Sequence, residues 1–329
     1  MTQTETTQAQ LDAFRADFQR LQDEVGRVIV GQRDIVRSTL MTLIAGGHVL
    51  LEGVPGLGKT MLVHTLADAL QLSFSRIQFT PDLMPADLVG TNVVLDSPDG
   101  KRFEFQKGPL FANVVLADEI NRATPKTQSA LLEAMQEHSV TVGGTTHRLP
   151  EPFIVLATQN PLEMEGTYPL PEAQLDRFFA KLLVEFPTSA ELAEILDRTT
   201  GREERHAQPV LSGERILEMR QLSRQIPLSA NVRQHAIDLV LATHPDQPLA
   251  SEQVRKYIQY GSSPRGAQAL ILFGRILAIL DHRFNVSTDD LNEAAPASLR
   301  HRMIRSFDGV ANSVSPDEII ADLIRTHSR

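Results

Sequence analysis

"HVLLEGVPGLGKTMLVHTLADAL", residues 48–70, joins an apolar run, a glycine-rich turn and an apolar stripe at helical spacing. Its middle, Gly53-Val54-Pro55-Gly56-Leu57-Gly58-Lys59-Thr60, matches G-x-x-x-x-G-K-[ST] at every fixed position. It also stands where that pattern has meaning, after a strand and at the head of a helix. Glycines at these places let backbone N–H groups turn inward around phosphate oxygens, and the helix N-terminus adds its dipole. Lys59 reaches the outer phosphates of ATP, and Thr60 offers a hydroxyl to Mg2+. A glycine-rich turn without a ligand is the competing reading, and the full match in this context weighs against it.

Outward from this stretch, short apolar runs alternate with helical ones. "HVLLEG", "SFSRIQF", "NVVLADE", "PFIVLATQ" and "FFAKLLVEF" read as strands, near-continuously apolar as strands covered on both faces are. The pattern predicts an α/β fold with a five-stranded parallel sheet over residues 11–187. Leu11, Phe14, Phe18, Leu21 and Val25 form a helical stripe that packs on the body, after a disordered tail at 1–10. "QRDIVRSTLMTLIAGG" is a second helix, stopped by Gly46 and Gly47. Two segments, about 91–106 and 139–149, alternate apolar and polar residues around "SPDG" and Gly143-Gly144, and read as hairpins, the first preceded by a short helix. From residue 188 to 329 the strand signals stop, which predicts a smaller all-helical lid domain.

Composition narrows the classes. A chain of 329 residues with 42% hydrophobic content buries a large core. The absence of cysteine removes disulfides, thiolate metal sites and cysteine nucleophiles. With 32 basic and 41 acidic residues the net charge is -9, so no global field draws the chain to nucleic acid or anionic lipid. No apolar run is long enough to span a membrane, and the polar N-terminus lacks the features of a signal peptide, so a cytoplasmic location is expected.

Three further places carry chemistry. "NVVLADE" ends an apolar strand in two carboxylates, where charge belongs only if it meets a cation. Asp118 is the candidate Mg2+ holder, and Glu119 is placed to orient or deprotonate the water that attacks the γ-phosphate. A small-molecule kinase needs no such second carboxylate, so Glu119 argues for hydrolysis. "ATQNP" puts Asn160 at the same edge of the sheet, placed to contact both the water and a γ-phosphate oxygen, with helix or turn capping as the competing role. In "SSPRGAQAL", Ser263 caps a helix, Pro264 is its first residue and Arg265 sits in its first turn, where the dipole disfavours a cation. An anion nearby explains it, and a nucleotide phosphate held between the two domains is the candidate. His138 and His147 flank the second hairpin and receive no role.

Together these pieces resemble the AAA+ ATPases, and within them the MoxR family. The resemblance covers nearly the whole chain after residue 20. It rests on Gly53 to Thr60, "VVLADEINRA", "ATQNP", "YPLPEAQLDRFF", "GSSPRG", and "VIVGQ" at 28–32. It implies that Val30 and Gly31 border the adenine pocket and that Asn160 and Arg265 sense phosphate. It also implies that Arg177, beside Asp176 in "LDRFF", reaches the γ-phosphate held by a neighbouring subunit. A finger in trans requires a homo-oligomeric ring, expected to be a hexamer. Pairing of Arg177 with Asp176 or a surface glutamate is the alternative. The implied function is an ATP-driven remodelling or metal-centre assembly motor, with proteins bearing von Willebrand factor A domains as expected partners. The hairpins resemble those of the clade that includes MCM helicases and magnesium-chelatase motors. A DNA-translocating motor and a chelatase-type motor are therefore the alternatives, although the modest charge at the hairpin tips does not favour nucleic acid as a partner.

Overall fold

The computed structural model describes residues 3–97, 100–161, 166–200 and 205–327. In chain order the main strands are β1 (Val49–Glu52), β2 (Phe74–Gln78), a hairpin of β3 (Gly90–Ser97) and β4 (Gly100–Lys107), and β5 (Val114–Asp118). A second hairpin of β6 (Ser139–Val142) and β7 (Thr145–Arg148) follows, then β8 (Ile154–Gln159) and β9 (Ala180–Leu183). The five strands predicted from apolar runs form one sheet in the order β2-β5-β8-β1-β9, every pair parallel. Because successive residues of a strand face opposite ways, the sheet feeds two cores. Val49, Leu51, Val114, Leu116, Ile154 and Leu156 point into one, and Leu50, Val115, Ala117, Val155 and Ala157 into the other.

The first core also takes the N-terminal helix, whose Leu11, Phe14, Phe18, Leu21 and Val25 are all buried. Each such side chain contributes roughly 1.5–3 kcal/mol, enough to fasten a helix that is polar on its other face. This helix runs Gln3–Val28, so the stretch expected as a disordered tail over 1–10 is helical from Gln3 onward. The next helix, Arg33–Ala45, ends on Gly46 at φ 83°, whose N–H closes on the carbonyls of Thr42 and Leu43.

Both hairpins are antiparallel, and the helix Pro85–Val89 precedes the first. Pro98 and Asp99, assigned to the turn of the first hairpin, lie outside the described residues. The region after residue 188 is helical, as the periodicity predicts, apart from one short ribbon. Among its helices it holds an antiparallel ribbon of β10 (Ile258–Tyr260) and β11 (Ile304–Arg305). Two strands of three and two residues are too short to show a period of two. No helix among the described residues is long and apolar enough to cross a membrane.

Candidate active site

The turn after β1 is built as a cradle. Gly56 and Gly58 have φ of 85° and 75°, the left-handed region where a side chain is strained, and a Cβ on either would meet no atom within 4 Å. The space they face is therefore open to a phosphate. Gly53 has a different reason, since a Cβ there would stand 2.7 Å from the carbonyl oxygen of Val184. The helix Lys59–Ala69 begins at the end of the cradle, so its unpaired first-turn N–H groups face the opening. Lys59 Nζ donates to the carbonyls of Gly53 at 2.6 Å and Val54 at 3.3 Å. Burial lowers the pKa of Lys59, and the charges of Asp118 and Glu119 oppose that shift. A half-desolvated ammonium beside open glycine backbone fits a polyphosphate. The segment 28–32 is hooked to this loop, because the Gln32 side-chain amide donates to the carbonyl of Leu57 at 2.9 Å. Gly31 and Gln32 are both left-handed there, and a Cβ on Gly31 would collide with the Glu191 carboxylate.

Parallel strands bring the two carboxylates to the same edge. Asp118 closes β5, and its Oδ1 accepts the Thr158 hydroxyl at 2.6 Å. Its Oδ2 accepts from Arg76 on β2, at 2.7 Å from Nη2 and 3.2 Å from Nε. A guanidinium thus holds the oxygen that the sequence reserves for a metal cation. Glu119 follows at φ 56°, a conformation uncommon outside glycine, and its N–H donates to Thr158 Oγ1 at 2.8 Å. Its carboxylate accepts from Gln78 at 2.6 Å and pairs with Arg122 at 3.2 Å. One hydroxyl, Thr158, therefore sets both acidic residues. Asn160 lies buried one residue beyond β8, on this edge.

The remaining two candidates are on the other edge. Val49 pairs with Ala180, so Arg177, three residues before β9, stands at the N-terminal end of β1, across the strand from the phosphate loop. Four strand residues make that separation on the order of 10 Å before either side chain is counted. Asp176 faces the lid domain rather than Arg177. Its carboxylate accepts from Ser263 Oγ at 2.7 Å, Arg302 Nε at 2.9 Å and Arg265 Nη1 at 3.4 Å. Arg302 is buried, donates also to the carbonyls of Phe178 at 2.7 Å and Phe179 at 3.2 Å, and has its pKa lowered to about 10 by burial, which Asp176 opposes. The Arg177 N–H donates to the carbonyl of Gln174 at 3.1 Å, while its guanidinium has no hydrogen-bond or ion-pair partner among the described residues. It shares a cavity of ≈ 340 Å³ with Asp176, Arg265, Arg302 and His138. Ser263 caps the helix of Arg265 as expected, with its Oγ accepting from the Arg265 N–H at 3.1 Å, and the Arg265 guanidinium pairs with Asp176 at 3.4 Å.

Comparison with known proteins agrees with this geometry. The family model described as "ATPase family associated with various cellular activities (AAA)" matches residues 48–180, and the AAA lid domain model matches 250–323. A protein of Cytophaga hutchinsonii known by its crystal structure superposes with a TM-score of 0.91 at 40% identity, over 99% of this chain and 98% of its own. Chaperone MoxR1 of Mycobacterium tuberculosis is 42% identical over 92% of this chain and 80% of its own length. Protein MoxR of Methylorubrum extorquens is 31% identical over 96% of this chain and 95% of its length. The chain belongs to the MoxR family of AAA ATPases.

As a MoxR-family ATPase it is a nucleotide-binding ATP hydrolase. Within that frame the sequence reading missed five side chains that organise the two edges: Arg76, Gln78 and Thr158 at one, Asp176 and Arg302 at the other. Gln78 and Arg76 alternate with apolar positions on β2, an ordinary edge-strand pattern, and nothing local marks them. Asp176 adjoins Arg177 in sequence, which suggests the wrong partner.

Proposed function

We propose that the protein is a ring-forming, Mg2+-dependent ATPase in which each site is completed by the neighbouring protomer. The loop Gly53 to Gly58 and Lys59 hold the phosphates, and Val30 and Gly31 border the base. Thr60 and Asp118 hold Mg2+, which supplies positive charge to the β- and γ-phosphates when bound. For that, Arg76 has to leave Asp118. Glu119 takes the proton from the attacking water as the γ-phosphate leaves ADP, and Asn160 orients that water. Arg177, and with it Arg265, acts in trans on the neighbour's γ-phosphate.

The observation that carries this reading is the separation itself. The phosphate loop and the unpaired Arg177 guanidinium stand at opposite ends of the β1–β9 strand pair, a separation that supports completion of each site by a second chain. Head-to-tail contacts of this sort close into a ring, here taken as a hexamer in the cytoplasm. The cycle is expected to remodel a protein client or assemble a metal centre, with von Willebrand factor A domain proteins as partners. Mixing Arg177→Ala with Lys59→Ala tests the trans arrangement. Each variant alone is expected to be inactive, and the mixture to recover a fraction of turnover; silence at every ratio would overturn it.

A second reading, a DNA-translocating motor, has one observation in its favour: Phe103 is exposed beside Arg102 on the first hairpin, a combination that stacks on bases. Fluorescence anisotropy with single-stranded DNA separates the two readings. No salt-dependent binding is expected.

A further inference from the structure

Among the described residues, two groups of exposed apolar side chains adjoin the two halves of the divided site. The first follows the arginine cluster. Tyr260 pairs with Ile304 in the β10–β11 ribbon, whose strands lead into Arg265 on one side and out of Arg302 on the other. Tyr260 is 60% exposed, Phe307 85% and Val310 56%, the last two sharing a face of the helix Phe307–Ala311. The second patch lies beside the phosphate loop. The helix Ser189–Thr199 buries none of its residues, although Leu192, Ile195 and Leu196 form an apolar stripe at three- and four-residue spacing. It rests on segment 26–32 through Arg198, whose Nη1 donates to the carbonyl of Arg27 at 2.8 Å, and through Glu191 against Gly31. That same segment is tied to Leu57 of the loop. Phe186, three residues before that helix, is 70% exposed.

The charges around the patches are opposite. Residues 255–265 and 300–310 hold six basic side chains and one acidic one, in a chain of net charge -9. With Arg302 buried against Asp176 and Arg300 paired with Asp317, four basic side chains and one acidic one are left to set the charge of this face. Residues 185–199 hold four acidic and one basic. We infer that the Tyr260–Phe307–Val310 face of one protomer docks on the Leu192–Leu196 stripe of a second copy of this chain, an inference that rests on the trans reading of Arg177. Three facts select this occupant. A heterologous contact needs two different, mutually complementary surfaces on one molecule. These surfaces carry opposite charge, which orients the encounter. Each is continuous with one half of the divided site, so the contact that buries the apolar residues also carries Arg177 and Arg265 toward the neighbouring phosphate loop. Apolar patches left at both ends of a monomer otherwise invite unspecific association.

The chain has no cysteine, so introduced thiols are the only ones. A full-length chain with Phe307→Cys and Leu196→Cys, and a second with Val310→Cys and Leu192→Cys, are each treated with a short flexible bis-maleimide in the presence of Mg2+ and a non-hydrolysable ATP analogue. A ladder of covalent oligomers on a denaturing gel is expected from both double variants, with each single variant remaining monomeric. Covalent dimers from a single-cysteine variant would mean that a face meets its own copy, which overturns the inference. Assembly by light scattering without a ladder from either pair would also overturn it, while recovered turnover in the Arg177→Ala and Lys59→Ala mixture would leave the trans reading standing. Absence of both assembly and complementation would remove the two together.

Discussion

The two edges of the central sheet are opposites in construction. At the phosphate-loop edge every group is set by its own strand or by the next one. Lys59 is held by the loop that precedes it, and Asp118 and Glu119 by Thr158 on the adjacent β8. At the arginine edge the organising contacts cross between the α/β and helical domains, with Asp176 meeting Ser263, Arg265 and Arg302 from 87 to 126 residues away. The first edge is therefore assembled within the α/β domain, save for Arg76 standing on Asp118, and the second is a charged surface assembled between the two domains. On the proposed reading, the difference makes nucleotide capture and turnover separable, with one edge binding and the other completing catalysis.

Mutations that act on one edge alone break or sharpen that contrast. Arg177→Ala is expected to lower kcat by about 10^3-fold or more, the range seen for arginine fingers, while ATP affinity, measured with a fluorescent analogue, stays unchanged. If binding falls in parallel, the edges are not independent. Glu119→Gln is expected to reduce turnover by about 10^2–10^4-fold with binding again retained, as for loss of a general base. Normal turnover in that variant would move the base elsewhere.

Asp176→Asn leaves Arg302 buried without its counter-charge. The loss is expected to be about 3–5 kcal/mol in denaturant unfolding, as for a broken buried pair. An unchanged midpoint would mean that the carbonyls of Phe178 and Phe179 suffice for Arg302.

The smallest effect concerns pH. His48, buried behind the arginine-edge cavity, donates to or accepts from its partners as a neutral ring: Nε2 lies 2.9 Å from the carbonyl of Met135 and Nδ1 accepts the Val155 N–H at 3.0 Å. Burial lowers its pKa from 6.5 to about 4. The unfolded chain takes the proton first, so this contribution is complete above pH 6.5 and is lost as pH falls toward 4. Between pH 6.5 and 5 the cost is about 2 kcal/mol. Denaturant unfolding at the two pH values, with His48→Asn as the reference that lacks this titration, measures it; equal slopes for both would contradict the assignment.

Much of the phosphate-loop edge was legible in order of residues. The spacing from Gly53 to Thr60 states a loop and a helix start together, and two carboxylates after "NVVLA" can only be where a strand leaves the core. Arg76 on Asp118 was not legible, because pairing β2 beside β5 is a matter of sheet order, and sheet order does not follow chain order here. The same limit explains the ribbon of β10 and β11, whose partners lie more than forty residues apart.

Sequence by itself determined the α/β architecture, the phosphate cradle and the identity of the charged residues, because these follow from periodicities and spacings within a few tens of residues. Tertiary structure alone decided where Arg177 and Arg265 stand. Their edge is chosen by the parallel register of β9 on β1, and Arg265 is held there by an aspartate that local sequence assigns to another arginine. Electrostatic partners are selected by proximity in space, and no spacing along a chain encodes which of several nearby cations a buried carboxylate will meet.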